Sequence, residues 1–330
     1  MRAVVIREFG DIADVPLGSL PDPVPGPDDV LVRIQAVAVN FVDLLVMEGK
    51  YQFLPDRPFA PGKLPAGVVE AAGSAVTAFR PGDRVLTMAE HGGYAELVAV
   101  PQGQCLHLPE SLSVTDAASM ALAFDTAWFA LRDRARIQPG ESVLVLGATG
   151  AVGNAAMQLA KAWGAKVLAG VSSPDRMDDV LRAGADAAID LSRDNLRDDL
   201  RKQVHAVNDG AGVDIVIDPL GGDIFDAAVR VLAWRGRLVV VGFAAGRIPE
   251  IRANYLLLKN IEVSGLQVSD YRKRDPDRMA ACFAELFSLY ESGKLTPAAS
   301  ETFPFDRYRD ALTLMRERTA RKRLILQPNR

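Results

Sequence analysis

The pattern of apolar positions divides this 330-residue chain into two regimes. Over the first hundred residues, apolar side chains come in short runs separated by glycine and proline. Val30 to Ile34 alternates as a strand does and carries on to Asn40. Gly67 to Val76 is a second apolar stretch. The turn Pro81-Gly82-Asp83 precedes Val85-Leu86-Thr87, and Gly92-Gly93 opens a strand from Tyr94 to Val100. A proline-rich loop from Tyr51 to Pro65, also holding Phe53 and Phe59, is long for a compact domain, a property common in functional loops. After Ser113 the spacing changes. Thr115 to Arg132 fits a helix, and from Ser142 to Gly242 apolar strands alternate with helical segments. That order predicts a parallel sheet with helices on both faces. Arg193 to Gln203 mixes both charge signs and reads as a solvated helix face. Beyond Val263, Met279–Tyr290 and Arg307–Arg318 fit helices and Leu324–Leu326 a last strand.

One junction in the alternating region carries chemistry. The strand Ser142–Leu146 runs into Gly147-Ala148-Thr149-Gly150-Ala151-Val152-Gly153, and a helical pattern follows. This is a dinucleotide fingerprint with Ala148 at its first glycine position. Gly150 lets the backbone approach a pyrophosphate, Gly153 lets helix and strand pack closely, and helix-start N–H groups hold the anion. A second strand, Lys166 to Val171, falls where the fingerprint needs it. NAD sites place an acid at the end of that strand for the ribose 2′-hydroxyl. Here Ser172, Ser173 and Arg176 stand there instead, which suits a 2′-phosphate and points to NADPH. Asp175 is the one nearby acid, and its place after Pro174 also suits a helix start.

Charge and composition narrow the field further. A formal charge of −4 speaks against a nucleic-acid partner held by phosphate contacts. No apolar run approaches the roughly 18 residues of a membrane span. Met1–Ile6 reads as a short strand rather than a signal peptide, so a cytoplasmic protein is expected. Cys105 and Cys282 are far apart and read as reduced packing residues. His91, His107 and His205 are isolated, as surface or packing histidines are.

Several short motifs occur in a fixed order: Val39-Asn40-Phe41-Val42-Asp43, Gly49-Lys50-Tyr51, Pro81-Gly82-Asp83-Arg84-Val85, Gly92-Gly93-Tyr94-Ala95-Glu96, Thr126-Ala127-Trp128, the glycine loop and Val241-Gly242-Phe243. Together they resemble the zinc-independent quinone oxidoreductases of the medium-chain dehydrogenase/reductase superfamily, over nearly the whole chain. The resemblance implies an α/β protein: a GroES-like, β-rich substrate domain over 1–118 and 264–330, and a Rossmann domain with a doubly wound parallel sheet over 119–263. It implies an active cleft between the domains, NADPH as hydride donor, a homodimer or homotetramer, and quinones or α,β-unsaturated carbonyls as acceptors. Asn40 and Thr126 match positions beside the nicotinamide and its ribose. Gly242 and Phe243 match the segment backing the ring, with Leu266 following it, and Lys322-Arg323 stands where relatives carry a Gly-Lys, making Arg323 a cofactor candidate.

The departures also matter. Zinc-dependent relatives have a cysteine near Phe41 and Gly-His-Glu where this chain has Gly62-Lys63-Leu64. Those substitutions remove the ligands of a three-ligand zinc site. Many quinone reductases have glutamate at Leu64, tyrosine near Leu191 and lysine at Arg176. In related enoyl-thioester reductases a tyrosine placed like Tyr51 protonates the enolate or hydrogen-bonds the carbonyl. Packing in an aromatic loop with Phe53 and Phe59 is the other reading of Tyr51. Asp43 either orders Asn40 or a water, or makes a structural hydrogen bond. Two further functions fit the motifs: a 2-enoyl thioester reductase, with Lys63 and Arg57 toward the carrier phosphate, and an NADPH-binding structural or regulatory protein of low turnover.

Overall fold

The computed structural model describes residues 1–329 and resolves the chain into two units. One comprises Met1–Leu122, Arg272–Pro276 and the chain from Pro297 onward. The other comprises Ala123–Tyr271 and Asp277–Thr296. The long helix Pro276–Glu291 thus contributes its length to the second unit, where Glu285 accepts hydrogen bonds from Trp128 (2.7 Å), Trp163 (2.9 Å) and Arg132 (2.9 Å).

The second unit is a Rossmann domain. Its six-stranded sheet runs in the order Ala187–Asp190, Lys166–Val171, Ser142–Leu146, Val213–Asp218, Leu232–Val240, Glu262–Gly265. Every pairing is parallel. The order reverses between Ser142–Leu146 and Val213–Asp218, the point where such sheets bind ligands at their carboxyl ends. All five residues of Ser142–Leu146 are buried, as expected of a parallel strand covered on both faces. The helix Ala151–Ala162 lays Ala155, Ala156, Leu159 and Ala160 inward, all fully buried. Small side chains on that face allow the helix to sit close to the sheet.

The first unit is the GroES-like, β-rich body. Its seven-stranded sheet includes Ser300–Pro304, Arg323–Gln327, Asp29–Ala38, Ala66–Ala72, Arg84–Thr87 and Cys105–His107, with Leu97–Pro101 added beside Asp29–Ala38. Val30, Val32, Ile34 and Ala36 point inward and are essentially buried, the period-two pattern read from the sequence. The strand ends at Ala38, two residues short of the expected Asn40. Asn40 instead precedes the helix Phe41–Met47, and the Asp43 carboxylate accepts its N–H at 2.8 Å. That bond satisfies a helix-start donor, so chain direction turns there. The helical pattern over Thr115–Arg132 also breaks: Val114–Met120 and Ala123–Trp128 are separate, with Leu122 left-handed at φ +64° between them.

Candidate active site

The glycine loop has the shape a pyrophosphate needs. Gly147 leaves the strand at φ +62°, Ala148 is buried, and Thr149 and Gly150 are exposed. A Cβ on Gly153 would lie 2.3 Å from the Gly147 carbonyl oxygen and 2.8 Å from the Ala148 Cα. Those are backbone atoms and cannot swing aside, so helix and loop touch only because this residue is glycine. Gly150 N–H closes on the Gly147 carbonyl at 2.9 Å. The N–H groups of Ala151, Val152 and Gly153 have no acceptor within the helix, which leaves donors at the helix start for an anion. This cradle fits a dinucleotide.

At the end of Lys166–Val171, Ser172 and Ser173 are exposed. Arg176, about a quarter exposed, donates through Nε to Asp179 at 2.7 Å. Leu191 packs toward Gly170, where a Cβ would meet its side chain at 3.0 Å. On the far side of the switch point, the loops after the fourth and fifth strands are knotted by Asp218. Its Oδ1 accepts from Leu220 (2.8 Å) and Gly221 (2.9 Å), and its carbonyl accepts from Val241 (2.8 Å). Oδ2 is buried with no hydrogen-bond partner among the described residues. Burial pushes this carboxyl up despite the two N–H bonds. The knot brings Phe243 to Gly221, where a Cβ would meet its ring at 3.0 Å, and leaves Phe243 39% exposed. Gly242 is half-buried beside it, and Leu266 donates to the Val240 carbonyl at 3.0 Å. Sequence reasoning overlooked Asp218; the run Asp218-Pro219-Leu220-Gly221-Gly222 closing a strand was the available signal. Thr126 is buried in its short helix, next to the wholly buried Asp125, which accepts the Thr126 N–H at 2.8 Å.

In the GroES-like unit, Asn40 sits in a buried polar network. Its amide Nδ2 donates to Ala38 O at 3.1 Å, and its Oδ1 accepts from Arg323 Nη2 at 2.9 Å. Asp43 Oδ2 accepts from Tyr94 OH at 2.8 Å as well as from Asn40 N–H. Asp43 Oδ1 has no hydrogen-bond partner among the described residues. Burial lifts the Asp43 carboxyl to about 6, against the Asn40 and Tyr94 bonds and the charges of Lys63 and Arg323. Burial and the Asp43 carboxyl push Tyr94 well up, so its hydroxyl remains a donor. Burial lowers Arg323 to about 10, which leaves it charged at neutral pH. Arg323 is therefore not laid out on the surface for a phosphate. It is 7% exposed and donates to Asn40, Ser119 O (3.2 Å) and Val39 O (3.4 Å).

A second cluster joins this one. Lys63 is 4% exposed and ion-paired to Glu90, whose other oxygen accepts from Arg272 at 2.6 Å. Burial alone would raise the Glu90 carboxyl, but Arg272 and Lys63 outweigh it and hold it at about 2. The Lys63 ammonium lies 5.1 Å from the Tyr51 ring centre, Tyr51 meets Phe53 edge-on at 6.3 Å, and Lys273 lies 5.0 Å from the Phe53 ring. Charge of both signs thus gathers here, Lys63 and Arg272 on Glu90 beside Tyr51, and Arg323 and Asp43 on Asn40. Lys63 came out of the sequence as a replacement for a zinc ligand and as a candidate for a carrier phosphate; its partner Glu90 lies 27 residues away and carried no local signal. Phe59 pairs edge-on with His91 at 6.3 Å rather than with Tyr51. Arg57 packs over Phe9 at 4.6 Å. Among the described residues, no three His, Cys, Asp or Glu side chains gather as a metal-holding group, and no helix is long and apolar enough to cross a membrane.

The chain is similar to known proteins over nearly its whole length. Residues 26–110 match the family of alcohol dehydrogenase GroES-like domains, and 151–286 the family described as zinc-binding dehydrogenase. A quinone oxidoreductase-like protein 2 homolog of Nematostella vectensis is 37% identical over 304 residues, covering 91% of this chain and 82% of that protein. Human quinone oxidoreductase is 34% identical over 313 residues, covering 94% of this chain and 92% of its own length. The chain belongs to the quinone oxidoreductase family of medium-chain dehydrogenases/reductases. The crystal structure of Pseudomonas syringae pv. Tomato DC3000 quinone oxidoreductase superposes with a TM-score of 0.91 at 30% identity, covering 99% of both chains. The protein is thus an oxidoreductase from a superfamily whose members bind nicotinamide cofactors and act on small molecules.

Proposed function

We propose that this protein is an NADPH-dependent reductase of quinones or α,β-unsaturated carbonyls that works without a catalytic zinc. The observation that carries the reading is Lys63. A buried ammonium, anchored by Glu90, stands where zinc-dependent relatives place a histidine. A fixed cation in a low-dielectric site stabilises an oxyanion forming on the acceptor, the electrostatic task a Lewis acid performs elsewhere.

When bound, the nicotinamide supplies a hydride. The protein's task is to bind, orient and exclude water. The N–H groups at Ala151, Val152 and Gly153 hold the pyrophosphate, and Ser172, Ser173 and Arg176 receive the 2′-phosphate. Phe243 and Leu266 back the ring, and Thr126 and Asn40 bond near the nicotinamide ribose. Tyr51 donates a proton to the reduced enone, its ring held over Lys63. A quinone needs less acid help, because its reduced oxygens take protons from water.

The protein acts as a homodimer in this reading. Glu262–Gly265 is a sheet edge, and Trp234, Leu257 and Leu258 nearby are 71%, 78% and 72% exposed. An uncovered edge strand and exposed apolar side chains favour pairing with a second copy.

The test is oxidation of NADPH and NADH against 1,4-quinones, short 2-enones and crotonyl thioesters. Quinone or enone turnover, faster with NADPH, supports the reading. Fastest use of thioesters would replace it with an enoyl-thioester reductase. Tight NADPH binding without turnover on any acceptor would make the protein a cofactor-binding partner instead.

A further inference from the structure

Arg323 is an expensive residue to keep where it is. The strand Arg323–Gln327 is buried along its whole length, and an apolar side chain would fit such a strand. A buried guanidinium is costly unless its donors are satisfied by good acceptors. Its two bonds to main-chain carbonyls, at Ser119 and Val39, are long. Its one short bond, 2.9 Å, goes to the side chain of Asn40.

That bond decides which way the Asn40 amide faces. With the guanidinium against Oδ1 and the Ala38 carbonyl against Nδ2, a flipped amide would set donor against donor and acceptor against acceptor. One Nδ2 hydrogen serves Ala38; the second has no acceptor among the described residues. The guanidinium charge held against Oδ1 also draws density from the amide, and hydrogen-bonded chains strengthen one another in a low-dielectric interior. Asp43 completes the hold by accepting the Asn40 main-chain N–H.

We propose that Arg323 is a positioning residue for the reduction: it fixes and polarises the Asn40 amide so that Nδ2 donates to the acceptor oxygen on which negative charge develops. This rests on the reading above that Asn40 lies beside the nicotinamide, and extends it to the acceptor. It assigns Arg323 to Asn40 rather than to a cofactor phosphate.

A double-mutant cycle tests it in the full-length protein with NADPH and a 2-enone, reading kcat, KM, NADPH affinity and thermal melting. Arg323→Gln is expected to lower kcat about tenfold to a hundredfold, with the NADPH KM changed by about twofold or less. In an Asn40→Ala background the same substitution should change kcat no further. Arg323→Lys, which keeps the charge, should recover part of kcat. Asn40→Asp covers the case in which Arg323 variants fail to fold. It keeps the bond to Arg323, gives up the Nδ2 donor together with its bond to the Ala38 carbonyl, and should match Asn40→Ala in kcat while still unfolding in one cooperative melt. Additive losses in the cycle, a full-speed Asn40→Asp variant, or an Arg323→Gln variant that loses only NADPH affinity would each overturn the Arg323 role. Unchanged kcat in Asn40→Ala is a separate failure, of Asn40 as an active-site group, and the inference falls with it.

Discussion

Replacing Asp43 with asparagine should change how stability depends on pH. The Asp43 carboxyl is buried, has one oxygen without a partner, and is lifted from an ordinary 3.8 to about 6. A raised carboxyl binds its proton more tightly in the folded chain than in the unfolded one. Its contribution is therefore full below 3.8 and is lost as pH rises through about 6. At about 1.4 kcal/mol per tenfold, the gap between 3.8 and about 6 corresponds to about 3 kcal/mol. Asparagine keeps an acceptor for the Asn40 N–H and carries no charge at any pH. Urea unfolding of both proteins between pH 4 and pH 7 measures the effect. The difference in stability should move by about 2 kcal/mol toward the variant across that window, the rest of the effect lying below pH 4. Taking the difference matters, because other groups titrate too. His91 is lowered by burial and by Lys63, which gives the opposite slope, while the raised Asp218 gives the same slope. Glu90, held at about 2 against an ordinary 4.5, also gives the opposite slope, from about 4.5 downward. Parallel curves for the two proteins would refute the buried-carboxyl reasoning.

Three further outcomes follow from the site. Gly153→Ala places a Cβ 2.3 Å from the Gly147 carbonyl oxygen, and NADPH affinity measured by fluorescence titration should fall at least about tenfold. Tyr51→Phe should slow enone reduction by about a hundredfold and leave 1,4-quinone reduction within about threefold; equal losses on both acceptors would remove Tyr51 as proton donor. Ser172→Asp sets a carboxylate at the end of the second strand, so the NADPH-to-NADH ratio of kcat/KM should fall by at least about tenfold.

The Rossmann unit was legible in the sequence because its signals are local. A strand, a glycine loop and a helix follow one another within Ser142–Ala162, and each glycine answers a contact in the fold. The GroES-like site was legible only in pieces. Asn40, Asp43 and Tyr51 stood out, but Arg323 lies 283 residues from Asn40 and Arg272 lies 182 from Glu90. Periodicity reports which face a side chain lies on, not which distant partner it meets. Hence the sequence offered Arg323 only through its match to a cofactor position and could not show its bonds to Asn40 and main-chain carbonyls. Local competition explains the smaller differences. The apolar run through Asn40 favoured a longer strand, but the Asp43 carboxylate stops it by taking the Asn40 N–H. Asp218 escaped notice because a strand-end aspartate looks like ordinary turn chemistry; its buried second oxygen is visible only in three dimensions.

The central claim is that a fixed lysine charge serves where zinc-dependent relatives use a metal. It is tested by measuring zinc content and NADPH-dependent quinone turnover on the same chelator-treated sample, alongside Lys63→Met. The account predicts full turnover with far less than one zinc per chain, no gain on adding zinc, and a loss of about tenfold or more in kcat for Lys63→Met. Turnover that disappears with chelation and returns with stoichiometric zinc, or a Lys63→Met protein as fast as wild type, would contradict it.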